Sequence, residues 1–254
     1  MADVRGRSGV DEVIICPQRL YANGYNSLKK CVYDAIGRQP AVFLADEYSA
    51  LKRKSKLPSE YVVLLGQKSG KEVSVSNPGV IDLSLDWVMA YVRNSKLEVI
   101  MPCEVQSIDI TGNYRANWQA YSLEKPSIPD SQHGMNWANV WKRLIPQLLL
   151  KGAIASTSTL CRKGIYFVVP DRVYIQFEKL VGNVPQAATP AHGVMTVMTY
   201  VLGPEVAHGR IRDLKIGRSL RMLVADFAKA FGSGNQLPLG TQLDKKVLQI
   251  LTEL

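Results

Sequence analysis

The sequence contains no apolar run approaching the ~20 residues that span a bilayer, so no membrane-crossing helix is expected. Its start, Met1 to Val10, carries Arg5 and Arg7 with no apolar stretch behind them. That is not a secretory signal, and residues 1–10 read as a short flexible leader. Cysteine is scarce. Cys16, Cys31, Cys103 and Cys161 form no C-x-x-C pair, and their spacing matches no zinc ribbon or finger. Only His133, His192 and His208 could supplement them, so no structural zinc or iron is expected. The thiols read as small buried hydrophobes in a reducing cytoplasm. No internal repeat or low-complexity tract is present. Acidic residues are in deficit: 22 Asp plus Glu stand against 31 Lys plus Arg, a formal net charge of +9. Such a field favours a polyanionic partner, either nucleic acid or an anionic membrane surface.

What is present is an ordinary globular composition. The 254 residues are 46% hydrophobic and 21% charged, which excludes a disordered chain, a collagen-like repeat and a coiled-coil rod. Leu28, Val32 and Ile36 recur at steps of four, predicting a helix over 25–36 with Gly37 as its C-cap. The basic run Lys52-Arg53-Lys54-Ser55-Lys56 is stopped by Pro58. Residues 61–65 read as a buried strand and 66–70 as a turn. Residues 72–76 alternate with period two, as does the longer stretch 81–92. A third strand is expected over 99–106, with Pro102 marking an irregularity or an edge position. Residues 125–136 read as loop. Trp137, Trp141, Leu144 and Leu148 form one helical stripe that Pro146 should kink or interrupt. A strand over 164–169, a helix over 171–180, a loop over 182–193 and a strand over 194–202 follow. Helices over 219–231 and 241–254 close the chain. The order suggests an α/β or α+β sheet with flanking helices.

The chemistry concentrates in two stretches, Leu83-Ser-Leu-Asp86-Trp and Pro102-Cys-Glu104-Val-Gln106-Ser-Ile-Asp109. Residues two apart on a strand share a face, so Glu104 and Gln106 project together and Val105 turns away. If the strand carrying Asp86 pairs with this one, two carboxylates and an amide converge. That set suits a hard cation such as Mg²⁺, which takes one or two carboxylates and fills its octahedron with water and substrate phosphate. Such an ion activates water and stabilises charge building on a phosphodiester. The same alternation also describes a solvated sheet face.

The order D…E-x-Q resembles the PD-(D/E)xK nuclease motif with Gln in place of Lys. Its flanks extend the likeness. Ile15-Cys-Pro-Gln-Arg19, Gly70-Lys-Glu72-Val-Ser-Val-Ser76, Leu85-Asp86-Trp87, Glu104-Val-Gln106-Ser-Ile-Asp109-Ile-Thr-Gly112-Asn-Tyr114 and Asn139-Val-Trp-Lys-Arg143 follow in this order. Together, over roughly residues 12 to 180, they resemble the NotI family of type II restriction endonucleases. The resemblance implies an α/β fold with a PD-(D/E)xK core, a mixed β-sheet flanked by helices, forming one nuclease domain over 11–254. It implies Mg²⁺-dependent hydrolysis of both strands of duplex DNA at a palindromic, GC-rich site, in the prokaryotic cytoplasm. Asp86 and Glu104 match the metal-binding carboxylates, Gln106 the residue replacing lysine, and Glu72 a further acidic ligand. Glutamine can orient an attacking water but carries no titratable proton near neutrality. Lys68 or Lys71 could restore a positive charge, or be solvated turn lysines. Longer members of the family add an N-terminal segment with a cysteine-ligated metal. Only Cys16 corresponds to it, so neither that metal nor that segment is expected.

Phosphate contact requires Lys and Arg on a shared face. Three groups qualify: Lys52, Arg53, Lys54 and Lys56; Arg115, Lys142 and Arg143; and Arg210, Arg212, Lys215, Arg218 and Arg221, placed before or within a C-terminal helix. Lys71 and Arg19 join the candidate DNA contacts through the matched strings. Tyr114, Trp118, Tyr121, Trp137 and Trp141 cluster nearby and read mainly as core. A homodimer is expected, since a two-fold axis matches a palindrome and supplies one site per strand. The rival readings are a structure-specific repair or recombination nuclease of the same superfamily, and a non-catalytic basic DNA-binding module. If the positive charge serves duplex DNA, affinity falls steeply with added salt; a filter-binding series across sodium chloride concentrations measures the slope.

Overall fold

The computed structural model describes residues 4–6, 9–11, 13–77, 79, 81–109, 111–112, 115–123, 134–207, 210–233 and 239–253. The chain begins with a short antiparallel pair, β1 (Val4–Gly6) and β2 (Gly9–Asp11). A 3-10 turn over Pro17–Tyr21 leads into α1 (Ala22–Ile36), followed by β3 (Ala41–Leu44) and α2 (Ala45–Arg53). Next come β4 (Glu60–Leu65), β5 (Val73–Asn77), β6 (Ile81–Leu85), β7 (Trp87–Arg93) and β8 (Lys96–Val105). Then follow α3 (Arg115–Ser122), α4 (Trp137–Asn139), a π turn over Val140–Leu144 and α5 (Ile145–Ala155). The last third holds β9 (Ile165–Pro170), α6 (Asp171–Val181), β10 (Val194–Leu202), β11 (Leu214–Leu223), α7 (Val224–Ser233) and α8 (Leu239–Glu253).

This is an α/β architecture built on a mixed sheet of seven strands, in the order β11-β10-β9-β8-β7-β4-β3. β8, β9 and β10 run parallel to one another, whereas β7 and β11 run antiparallel to their neighbours in that group. Alternation along the strands sorts side chains between two apolar layers. On one face, Met101, Cys103 and Val105 of β8 pack with Tyr166 and Val168 of β9 against Leu28, Cys31 and Val32 of α1. On the other, Phe167, Val169 and Val197 pack against Ile145 and Leu148 of α5, Phe177 of α6 and Phe227 of α7. No described helix is long and apolar enough to cross a membrane.

Several sequence expectations meet a different outcome. The stretch 81–92 is two strands broken at Asp86: β6 pairs with β5 in a separate ribbon, and β7 enters the main sheet. The alternation ends there: residues 81–86 alternate apolar and polar, whereas 87–92 are continuously apolar, as a strand covered on both faces reads. Pro102 lies on an interior strand. The ladder from β8 to β9 starts only at Cys103, so Pro102 removes no donor from it. The region 219–231 opens as strand, since β11 continues to Leu223 before α7 begins. Lys215, Arg218 and Arg221 therefore stand on an edge strand. At Pro146 the outcome matches the expectation: the helical segment is interrupted by the π turn, and Pro146 stands in the first turn of α5 directly behind it. The extra residue of that turn rotates the stripe. Trp141 is left 39% exposed, while Val140, Ile145 and Leu148 face the core.

β3 and α2 carry no expectation from the sequence reading. The helix over 25–36 and its Gly37 cap are present: Gly37 has φ 76° and its N–H donates to the Tyr33 carbonyl. Tyr114, His133, His208 and most of the loop expected over 125–136 lie outside the described residues.

The third basic group is largely engaged within the fold. Arg218 Nε donates to Asp171 Oδ1 at 2.8 Å and its Nη1 to Glu178 Oε1 at 2.7 Å, clamping β11 to α6. Arg221 pairs with Asp34 of α1. Replacing the clamp in Arg218→Met is expected to cost about 1–3 kcal/mol, read as a lower urea midpoint with unchanged slope.

Candidate active site

Asp86 occupies the single position between β6 and β7. Trp87 pairs with Cys103, so the next pair in the antiparallel register sets Asp86 beside Glu104. Their side chains take over where the ladder stops. The Asp86 backbone N–H donates to Glu104 Oε1 at 3.3 Å, and the Val105 N–H donates to Asp86 Oδ2 at 3.0 Å. Gly66 lets the end of β4 pass close against this position. A Cβ at that position would run into the Asp86 carbonyl oxygen and lie 2.9 Å from Trp87 Cε3. Tyr21 and Tyr25 pack edge-on against Trp87 at 5.7 and 5.3 Å between ring centroids, backing the break from the α1 face.

Glu104 points away from that face, toward α5, where its Oε2 accepts a hydrogen bond from Lys151 Nζ. Both side chains are buried, with Glu104 7% and Lys151 6% exposed. Lys151 follows Leu148 by three positions and precedes Ala155 by four, so it lies on the helical face that packs on the sheet. Burial pushes the Glu104 carboxyl up to about 7, and the adjacent Asp86 carboxylate adds to the effect, against the opposing pull of Lys151.

Glu104 and Gln106 share the α5 side of the sheet, and Val105 belongs to the opposite layer. Gln106 donates its backbone N–H to the Val168 carbonyl at 3.0 Å. Its side chain lines a cavity of about 90 Å³ together with Asp109, Asn139, Arg143 and Gln147. Asn139 Nδ2 donates to Asp109 Oδ2 at 3.2 Å, which ties the strand end to the helix that carries Arg143. Two strings some thirty positions apart in the chain thus form one polar recess beside the carboxylates.

The remaining candidates scatter. Glu72 is exposed just beyond the Gly66–Lys71 turn. Among the described residues no group of three or more His, Cys, Asp or Glu could hold a metal ion, so Glu72 does not join Asp86 and Glu104. Lys71 is exposed on the same turn, and Lys68 sets its Nζ 4.5 Å from the Tyr21 ring centroid. Lys142 and Arg115 are exposed. Arg19, read as a DNA contact, has Nη1 and Nη2 buried. The lysine that touches the carboxylates is Lys151, which the sequence reading did not single out. Its available signal was a lysine interrupting an apolar helical stripe. No family model matches the chain, and no curated protein matches it in sequence.

A carboxyl whose pKa is raised on folding binds its proton more tightly in the native state than in the unfolded chain. Its contribution to stability is present below the ordinary value near 4.5 and is lost as pH rises through about 7. In chelator-treated protein, the melting temperature should therefore carry a component that declines between about pH 4.5 and about pH 7, and Glu104→Gln should remove that component. Thermal unfolding of both proteins across this range is the check.

Proposed function

We propose that the protein is a Mg²⁺-dependent deoxyribonuclease with a PD-(D/E)xK core, acting as a type II restriction endonuclease on duplex DNA. The observation that carries this reading is the cluster of Asp86, Glu104 and Lys151 at one strand end, beside the polar recess of Gln106 and Arg143. It supplies the two carboxylates and the amine of such a site, with the amine coming from a helix instead of the strand. The ordered strings quoted above support the family.

The donor set fits a hard cation. Asp86 is half-buried and keeps Oδ1 for a ligand, and each Glu104 oxygen retains acceptor capacity beside its hydrogen bond. Two carboxylates with water and a substrate phosphate complete a Mg²⁺ shell. When bound, the ion would polarise the phosphodiester and lower the pKa of water. Lys151 holds the Glu104 carboxylate in one orientation and keeps a positive charge near the developing phosphorane charge. Gln106 orients the attacking water by hydrogen bonding. Arg143, Lys142, Arg115 and Lys71 neutralise the DNA backbone around it. A homodimer would present one such site to each strand of a palindrome.

Purified protein with Mg²⁺ and diverse plasmid and phage DNA, assayed at several salt concentrations, is the test. The expected result is discrete fragments whose sequenced ends share one palindrome. Asp86→Asn and Glu104→Gln should each lower cleavage by at least about a hundredfold while DNA binding persists. Lys151→Met should do the same, with Lys151→Arg recovering part of the loss. Ends tied only to branches or nicks would replace the proposal with a structure-specific nuclease. Equal binding and no cleavage by wild type and Glu104→Ala would replace it with a DNA-binding module.

A further inference from the structure

We propose that α8 pairs antiparallel with the same helix of a second copy of this chain, which makes α8 the homodimer surface. The homodimer of the nuclease reading needs such a surface but does not say where it lies. The case for α8 stands on the helix itself.

α8 carries two kinds of residue on two sides. Leu243, Val247 and Ile250 follow at steps of four and three, with Leu248 and Leu251 beside them. The opposite side holds Gln242, Lys245, Gln249 and Thr252. Such a division belongs to a helix that packs its apolar side on something. Yet every residue from Gln242 to Glu253 is exposed, Leu243, Leu248 and Leu251 to 64–65% and Val247 and Ile250 to 45–46%. None of them belongs to either apolar layer of the sheet. A contiguous apolar patch rimmed by polar residues marks an interaction surface. A helix of 15 residues is also marginal in water by itself, so its order depends on a partner for that side.

Charge selects the partner. Over its described length α8 carries Lys245 and Lys246 against Asp244 and Glu253, so it is neutral within a chain of net charge +9. A basic amphipathic helix would suit an anionic membrane or nucleic acid, and a neutral one does not. Two copies of so basic a chain repel over most of their surfaces. A neutral apolar strip is where they can approach.

The strip is also complementary to itself. In an antiparallel pair about a two-fold axis, Val247 of each chain can lie opposite Ile250 of the second copy. Lys246 and Glu253 stand seven positions apart on one edge of the stripe. The same axis then sets each Lys246 beside Glu253 of the second copy, giving two opposite-charge contacts per dimer. Along that edge Lys246 Nζ donates to Gln249 Oε1 at 3.3 Å and Gln249 Nε2 donates to Glu253 Oε1 at 2.7 Å, so both charges already line it. In a parallel pair equal positions share one height, and Lys246 and Glu253 stay about 10 Å apart along the axis. The charges therefore favour the antiparallel arrangement.

Sedimentation velocity on the full chain without DNA, up to about 100 μM, should show a monomer–dimer equilibrium. Val247→Glu and Leu251→Glu should each weaken association at least about tenfold while the chain stays folded, since neither residue lies in a core layer. Lys246→Glu and Glu253→Lys should each weaken it about tenfold, and an equimolar mixture of these two variants should recover it, because each then meets the opposite charge. A monomer at the highest concentration overturns the proposal, whether α8 then lies on its own chain or serves another protein. So does a dimer indifferent to Val247→Glu and Leu251→Glu, or a mixture that associates no better than either variant alone. No DNA enters these measurements. A monomer that still cuts DNA removes the α8 surface and leaves the nuclease reading, and a dimer that cuts nothing does the reverse.

Discussion

Glu104 and Lys151 are both withdrawn from water, and neither charge could be kept there alone. Moving one ionised group into the interior costs several kcal/mol after relaxation, and only a close, well-oriented partner offsets it. The pairing therefore fixes the distance and the phase of α5 over β8. The same carboxylate also accepts the Asp86 N–H, so it fixes where β6 leaves the ladder and β7 begins. A sheet with helices on both faces could be built more stably with apolar residues at these positions. Charged groups kept at the end of a strand that runs parallel to its neighbour β9, with the pKa of one carboxyl raised, mark this position as a candidate site.

Positive charge is distributed unevenly between interior and surface. The composition suggests a broad cationic field aimed at a partner, but part of it is used within the molecule. Lys151 neutralises Glu104, Arg221 serves Asp34, and Arg218 serves Asp171 and Glu178. The exposed cations are those of the Lys52–Lys56 run, Lys71, Lys142 and Arg143, among others. Only such groups contribute to attraction at long range, since engaged and buried charges are cancelled locally.

Much of the site was legible because strand geometry is local. Period two alone placed Glu104 and Gln106 on one face with Val105 on the other, and the strand after Asp86 does pair with the strand of Glu104, which brings the two carboxylates together at the end of that ladder. Spacing by fours and a glycine cap likewise identified α1. The failures have other causes. At Asp86 the pattern changes from alternating to continuously apolar, and a single expected strand over 81–92 passes over that change. β11 was read as helix because its Ser219–Leu223 segment runs directly into the apolar pattern of α7. Lys151 lies 47 positions from its partner, and its role depends on the rotation of α5, which no local pattern records.

That rotation is set by the π turn over Val140–Leu144. One surplus residue in a helix advances everything beyond it by about 100°. The turn thus uncouples two surfaces of a nearly continuous helical segment. Its first part directs Asn139 and Arg143 into the polar recess, and its second part directs Lys151 at the carboxylates. A strict α-helix would carry both sets in one fixed phase. With the surplus residue, the recess and the ammonium can be positioned against different neighbours, and a single-residue deletion in this turn would separate them while leaving the composition of the site intact.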